Sequence, residues 1–164
     1  MSRRSSSYEA FYDEHHDAVR RSLSAAFRNP LLAEEAAQEA FTRAYVHWRR
    51  VSQMERPEGW AYVVAVRVAA RRGPRLRMRD SGTNAGDIAD GVATRETLRT
   101  AIERLPERQR LAIILRYLAD LPVDDVAAAM GCAPGTVKST LHTALARLHV
   151  DLSDQTEEVG NDAY

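Results

Sequence analysis

The sequence predicts an all-α protein of two small helical domains joined by a flexible linker, the second domain ending in a helix-turn-helix. Three observations carry this reading. Apolar residues recur at three- and four-residue spacing in one segment after another, the period of an amphipathic helix. Residues 73–93, GPRLRMRDSGTNAGDIADGVA, have no sustained periodicity and hold four of the eight glycines, the composition of a linker. Residues 121–148, LPVDDVAAAMGCAPGTVKSTLHTALARL, read as two helices around a tight turn.

Taken in order, Ser6 and Glu9 have the spacing of a capping box, and Phe11, Tyr12, His15, Val19, Leu23, Ala26 and Phe27 keep a helical stripe to the Asn29-Pro30 break. Residues 31–48 form the clearest helix, with Leu32, Ala33, Ala36, Ala37, Ala40, Phe41, Ala44, Tyr45 and Trp48 on one side and Glu34, Glu35, Gln38, Glu39, Thr42 and Arg43 elsewhere. An alanine-rich stripe lets neighbouring helices approach closely. Residues 51–59 make a polar loop ended by Pro57, and Trp60, Val63, Val64 and Val68 begin a third helix expected to stop at Gly73-Pro74. After the linker, Leu98, Ala101, Ile102 and Leu105 form a short helix; Pro106 opens another, which Leu111, Ile114, Leu115 and Leu118 carry to the helix-turn-helix. The predicted units are residues 1–72, the linker 73–93, residues 94–150 and an acidic tail, 151–164, expected to be disordered.

In the helix-turn-helix, Gly131 ends the first helix, since glycine takes the left-handed conformation without penalty, and Pro134 restarts the chain where no amide donor is needed. Val137, Leu141, Ala144, Leu145 and Leu148 form the inner stripe; Thr136, Ser139, His142, Thr143 and Ala146 face the other way. A small residue at Ala127, glycine at Gly131 and β-branched Val137 have the spacing that two steeply crossing helices need at their contact. Any helical hairpin could share that pattern, but outward hydroxyls with Lys138 suit a helix that reads base edges.

Charge is balanced, with 23 Lys and Arg against 23 Asp and Glu, which excludes a polybasic coat protein. Its distribution is uneven. Residues 67–79 contain six arginines and no acid, more than a helix dipole needs, and a phosphate backbone is the fitting partner. Cys132 is the only cysteine, so internal disulfides and cysteine-rich zinc sites are excluded and a reducing, cytoplasmic compartment is implied. No apolar run suits a membrane span, and the N-terminal MSRRSSS lacks the apolar core of a secretory signal. Adjacent His15 and His16 lie on different helix faces, which argues against a metal. No carboxylate pair, activated nucleophile or phosphate loop points to an enzyme, and no cofactor is implied.

The two halves together resemble an extracytoplasmic-function sigma factor, the small class of bacterial RNA polymerase sigma subunits that has only regions two and four. The family's AEDxxQExF helix stands here as Ala33-Glu34-Glu35-Ala36-Ala37-Gln38-Glu39-Ala40-Phe41. Its proline, tryptophan and apolar helix ending in basic residues are matched by Pro57, Trp60 and the run to Arg72; its LPxRxR by Leu105-Pro106-Glu107-Arg108-Gln109-Arg110; its GTVKS by Gly135-Thr136-Val137-Lys138-Ser139. The match spans about residues 8–150. The resemblance implies that Glu34, Glu35, Gln38, Glu39 and Arg43 bind the clamp helices of the polymerase's largest subunit, with region four on the flap of the second largest. It implies that Met54, Arg56, Trp60, Arg67, Arg71 and Arg72 open and capture the −10 element as single strand. Thr136, Lys138, Ser139, Thr140, His142, Thr143 and Arg147 would read duplex DNA at −35. An anti-sigma factor is a possible further partner. The family often has asparagine at the position of Arg67, arginine at that of Thr140, and a larger apolar residue at that of Ala36. Two rival readings stand beside this one: a free-standing helix-turn-helix regulator, and a helical adaptor whose arginines are a solvated face.

Overall fold

The computed structural model describes residues 7–77 and 93–161, with side chains for 7–73 and 95–154. All regular structure among the described residues is helical. The first half is α1 (Tyr8–Phe27), α2 (Pro30–Val46), a single turn α3 (Trp48–Val51) and α4 (Pro57–Arg77). The second is α5 (Ala93–Arg104), α6 (Glu107–Ile113) running into a π-helical turn (Ile114–Leu118), α7 (Val123–Met130) and α8 (Pro134–Asn161).

Local chemistry sets the ends. Ser7, rather than Ser6, caps α1 by accepting the Ala10 amide at 3.2 Å. Arg28 turns left-handed at φ 52°, after which Asn29 caps α2 through the Leu32 amide at 3.0 Å and Pro30 sits where no donor is required. The alanine stripe does what its spacing predicts. Ala33, Ala36, Ala37, Ala40 and Ala44 are wholly buried, and α2 packs closely on both α1 and α4. At one end an aromatic cluster of Tyr8, Phe11, Tyr12, Phe41 and Trp48 fills the remaining space, with the Tyr8 hydroxyl donating to the Phe41 carbonyl at 2.9 Å. Emptying a buried phenylalanine site such as Phe41 costs about 3–5 kcal/mol. That exceeds any one of the exposed ion pairs, so burial and not charge holds this half together.

Several expectations are corrected. Helix α4 does not stop at Gly73-Pro74 but runs to Arg77. Gly73 is buried, and a Cβ there would make only ordinary contact with Leu32 Cδ2 at 3.7 Å, so this glycine neither ends the helix nor is required by the packing of α4 on α2. Pro74 deprives the Ala70 carbonyl of its donor, but Ala70 is exposed and water can replace it. The tail after Val150 continues α8 as far as Asn161, with Leu152 packed against the core. The linker splits: residues 73–77 belong to α4, residue 93 opens α5, and 78–92 lie outside the described residues. Leu118 is 63% exposed, Leu145 44% and Tyr45 64%. For Leu118 the reason is the wider π-turn, closed by the Ala119 amide on the Ile114 carbonyl at 3.0 Å, which rotates the chain off the α-helical register.

The two halves are also docked on each other. Helix α7 lies along α4, and α6 with its π-turn rests on α1. Buried apolar residues of both halves form one continuous core.

Candidate functional site

The polar side of α2 is ordered by its own side chains. Gln38 Nε2 donates to Glu34 at 3.1 Å, and Arg43 donates twice to Glu39 at 3.1 and 2.5 Å. Glu39 also accepts from Arg72 of α4 at 2.5 Å, and Glu35 lies 3.9 Å from the same guanidinium. The hydrogen bond from Arg43, with Arg72 adding to it, holds the Glu39 carboxyl below the usual carboxylate range. Glu39 and Arg72 therefore brace α2 against α4, while Glu34, Glu35 and Gln38 remain accessible along one strip. The family resemblance implies two different outside partners for Glu39 and Arg72; here they meet each other.

Next to this strip are the arginines of α4. Arg43, Arg67 and Arg71 line an open cleft of about 430 Å³ whose far wall is Met130 and Gly131. Arg71 folds back on the Arg67 carbonyl at 3.3 Å. Arg67 does not point to solvent alone: its Nε and Nη2 donate to the Ala128 carbonyl at 3.1 and 2.8 Å. Arg56, in the loop before α4, donates to the Asp120 carbonyl at 3.3 Å and faces Asp125 at 3.7 Å. Met54 and Trp60 are half-buried, with Trp60 against the core. Of the residues expected at an opened −10 element, Arg56 and Arg67 are thus engaged by the second half, Arg72 by α2, and Arg71 by its own helix.

The helix-turn-helix has the turn its residues foretold. Gly131 is left-handed at φ 66°, the Cys132 amide reaches the Ala127 carbonyl at 3.1 Å, and Pro134 is the first residue of α8. Val137, Leu141, Ala144 and Leu148 are buried; Thr136, Lys138, Ser139, His142, Thr143 and Arg147 are exposed, and Thr140 is half-buried. Three hydroxyls are turned back on the helix. Ser139 and Thr140 donate to the Thr136 carbonyl at 3.0 and 2.7 Å, and Thr143 to that of Ser139 at 3.1 Å. Their protons being committed, these oxygens keep only acceptor capacity, suited to the amino groups of adenine and cytosine in a major groove.

Sequence reading passed over Arg110, although it noted the motif containing it. This side chain is 6% exposed and donates to the carbonyls of Ala26 at 2.6 Å, Leu105 at 2.9 Å and Glu103 at 3.3 Å. The signal in the sequence is an arginine one turn before Ile113 and Ile114, on the inner side of α6. His15 and His16 belong to the aromatic cluster, His16 stacking on Tyr12 with centroids 4.4 Å apart. No helix among the described residues is long and apolar enough to cross a membrane.

Two helical units closing on a helix-turn-helix with an accessible, hydroxyl-rich outer face define a DNA-binding protein of that class. Comparison with known proteins makes the class specific. The model of sigma-70 region 2 matches residues 11–82 and that of sigma-70 region 4 matches residues 95–148. The RNA polymerase sigma-E factor of Streptomyces antibioticus is 31% identical over 158 residues, covering 88% of this chain and 84% of that protein. The ECF sigma factor SigL of Mycobacterium tuberculosis is 29% identical over 156 residues, 88% of each. Among solved structures, the sigma factor RpoE of Bartonella quintana, crystallised with the anti-sigma factor NepR, superposes with a TM-score of 0.69 at 22% identity over 90% of this chain and 98% of that one. The chain belongs to the sigma-70 family, in its extracytoplasmic-function group, and is an alternative sigma factor that directs transcription initiation by RNA polymerase.

Proposed function

We propose that the accessible strip of α2, centred on Glu34, Glu35 and Gln38, is the surface that joins core polymerase at the clamp helices of its largest subunit, while region four meets the flap of the second largest. The observation that carries this is the preorganisation of the strip: its side chains are held by neighbours on a rigid helix buried on its other side, so little side-chain entropy remains to be lost on binding. Residues 54–72 then take up the opened −10 element. Arg56, Arg67 and Arg71 supply phosphate contacts, and Met54 and Trp60 border the place where an unstacked base would be held, its unpairing cost offset by pocket contacts. The outer face of α8 reads the −35 element as duplex. An anti-sigma factor, the kind of partner in the Bartonella quintana complex, is extended to this chain as the class of protein that would silence it.

The test uses the double variant E35Q/Q38A, which removes the carboxylate and the amide from the strip without setting a cation beside Arg72 and so leaves the Glu39 brace intact. Pull-down of core polymerase should fall at least about tenfold, the equivalent of 1.4 kcal/mol, with the helical circular dichroism of the protein unchanged. Full retention of core polymerase by the variant removes the strip from the interface. Glu39 is left alone because its charge reversal would set a cation beside Arg43 and Arg72 and confound binding with folding.

A further inference from the structure

We infer that α8 selects bases of the −35 element through acceptors: Ser139 and Thr143 each favour a base that shows an amino group in the major groove, adenine or cytosine, on the strand they face. This rests on the proposed placing of α8 on the −35 duplex and goes beyond it, since it assigns the specificity to two residues and names the class of base that each takes.

The outer face of α8 divides by chemistry. At about 100° per residue, Gly135, Ser139, Thr143 and Ala146 fall within about 40° of the line through Ser139. Lys138 stands about 100° to one side of that line and Arg147 about 80° to the other. All six are exposed, while Val137, Leu141, Ala144 and Leu148 hold the opposite side in the core. A helix lying in a major groove has a phosphate backbone on each flank and base edges below its midline. The cations are therefore at the flanks, where they take phosphates, and the two hydroxyls at the midline, where they meet bases. Neither Gly135 nor Ala146 carries a side chain that would hold the helix off, and a Cβ at Gly135 would meet nothing within 4 Å, so the approach that short side chains need is open. No arginine, the usual partner of guanine, stands on the midline.

The hydrogen bonds within the helix decide which bases suit that midline. Ser139 donates its proton to the Thr136 carbonyl at 3.0 Å, and Thr143 to that of Ser139 at 3.1 Å. Each oxygen so committed offers only lone pairs to a partner. Adenine and cytosine show amino donors in the major groove, at N6 and N4, where guanine and thymine show the oxygens O6 and O4. An amino base is met with every bond of the helix kept. A keto base is met only if the hydroxyl turns its proton outward and gives up the backbone carbonyl. The difference is the worth of one hydrogen bond, about three- to tenfold per position. Because adenine and cytosine offer the same kind of group, an acceptor takes either, whereas a bidentate arginine takes guanine alone. Thr140 makes the same bond, to the Thr136 carbonyl at 2.7 Å, but is half-buried and about 100° off the line, and is left out of the assignment.

The experiment uses reconstituted holoenzyme and a promoter library randomised over the −35 region. Ser139 and Thr143 are about 6 Å apart along the helix, so two positions about two base pairs apart should accept adenine and cytosine alike on one strand. Guanine and thymine should be depleted there about three- to tenfold, with S139A flattening the preference at one position and T143V at the other. The selected site is then remade with the base opposite Thr143 replaced by its analogue without the exocyclic amino group, purine for adenine or 2-pyrimidinone for cytosine. The parent holoenzyme should bind the analogue about three- to tenfold more weakly, and T143V should bind it as well as the natural base. Selection of guanine alone at either position, preferences that S139A and T143V leave unchanged, or analogues bound by the parent as tightly as the natural base overturn the acceptor reading. Failure of the underlying −35 assignment is separately visible, because T143R holoenzyme would then keep the parent's affinity and its preference at every −35 position.

Discussion

Arg110 shows how much a single side chain can hide from a sequence. It is nearly inaccessible and gives donors to carbonyls of α1, α5 and the turn before α6. Truncation leaves those acceptors buried and unpaired, each at about 1–3 kcal/mol. We expect Arg110→Ala to lose about 2–4 kcal/mol in urea unfolding and Arg110→Lys to recover little, because an ammonium cannot reach divergent carbonyls. A loss below about 1 kcal/mol would mean that water replaces the guanidinium. Glu39 gives a pH-dependent counterpart. Its carboxyl is depressed by Arg43 and Arg72, so the stability it contributes is present above its unfolded value and is lost as pH falls through the lower folded one. Glu39→Gln should be slightly less stable than the parent at pH 7, by about 0.5 kcal/mol given the half-exposed arginines. The two should converge in acid, and an equal gap at pH 7 and pH 2 would contradict this origin. Periodicity placed Glu39 and Arg43 on the polar side of α2 correctly. It carries no information on which neighbour lies across from a face, and for Glu39 that neighbour is Arg72.

At the scale of elements, the helices were legible because capping residues, glycine and proline act locally: Asn29-Pro30, Pro57 and Gly131-Pro134 each mark an end that the structure keeps. Where the sequence misled, tertiary packing decided. Helix α4, packed along α2, runs past Gly73-Pro74, and the π-turn turns out Leu118, which helical spacing alone had placed inside. Helix α8 carries its own prediction. Lys138 and Arg147 are the fixed cations of its exposed face, so its duplex contact has a small counterion-release component. Lys138→Ala in the holoenzyme should weaken binding to all −35 sequences alike and flatten the log–log salt slope by about one unit. Loss of sequence preference with the slope unchanged would instead make Lys138 a reader of bases.

For the molecule as a whole, the sequence announced two halves but not their docking. Contacts between distant segments depend on shape, and the pairs that join the halves, such as Arg67 with Ala128 and Arg110 with Ala26, each use a backbone carbonyl on one side. A carbonyl is present at every position, so no residue pattern advertises it. The continuation of α8 through the acidic stretch has one more effect. Its first half presents Lys138, His142 and Arg147, while Asp151 and Asp154 fall on the second half of the same helix. Lys138 and Asp154 are about 24 Å apart along its axis at 1.5 Å per residue, about three times the roughly 8 Å over which physiological salt screens charge. Each end therefore feels a nearby polyanion on its own, and a helix within a chain of zero net charge experiences a torque, its leading end drawn in and its trailing end pushed away before any base is touched.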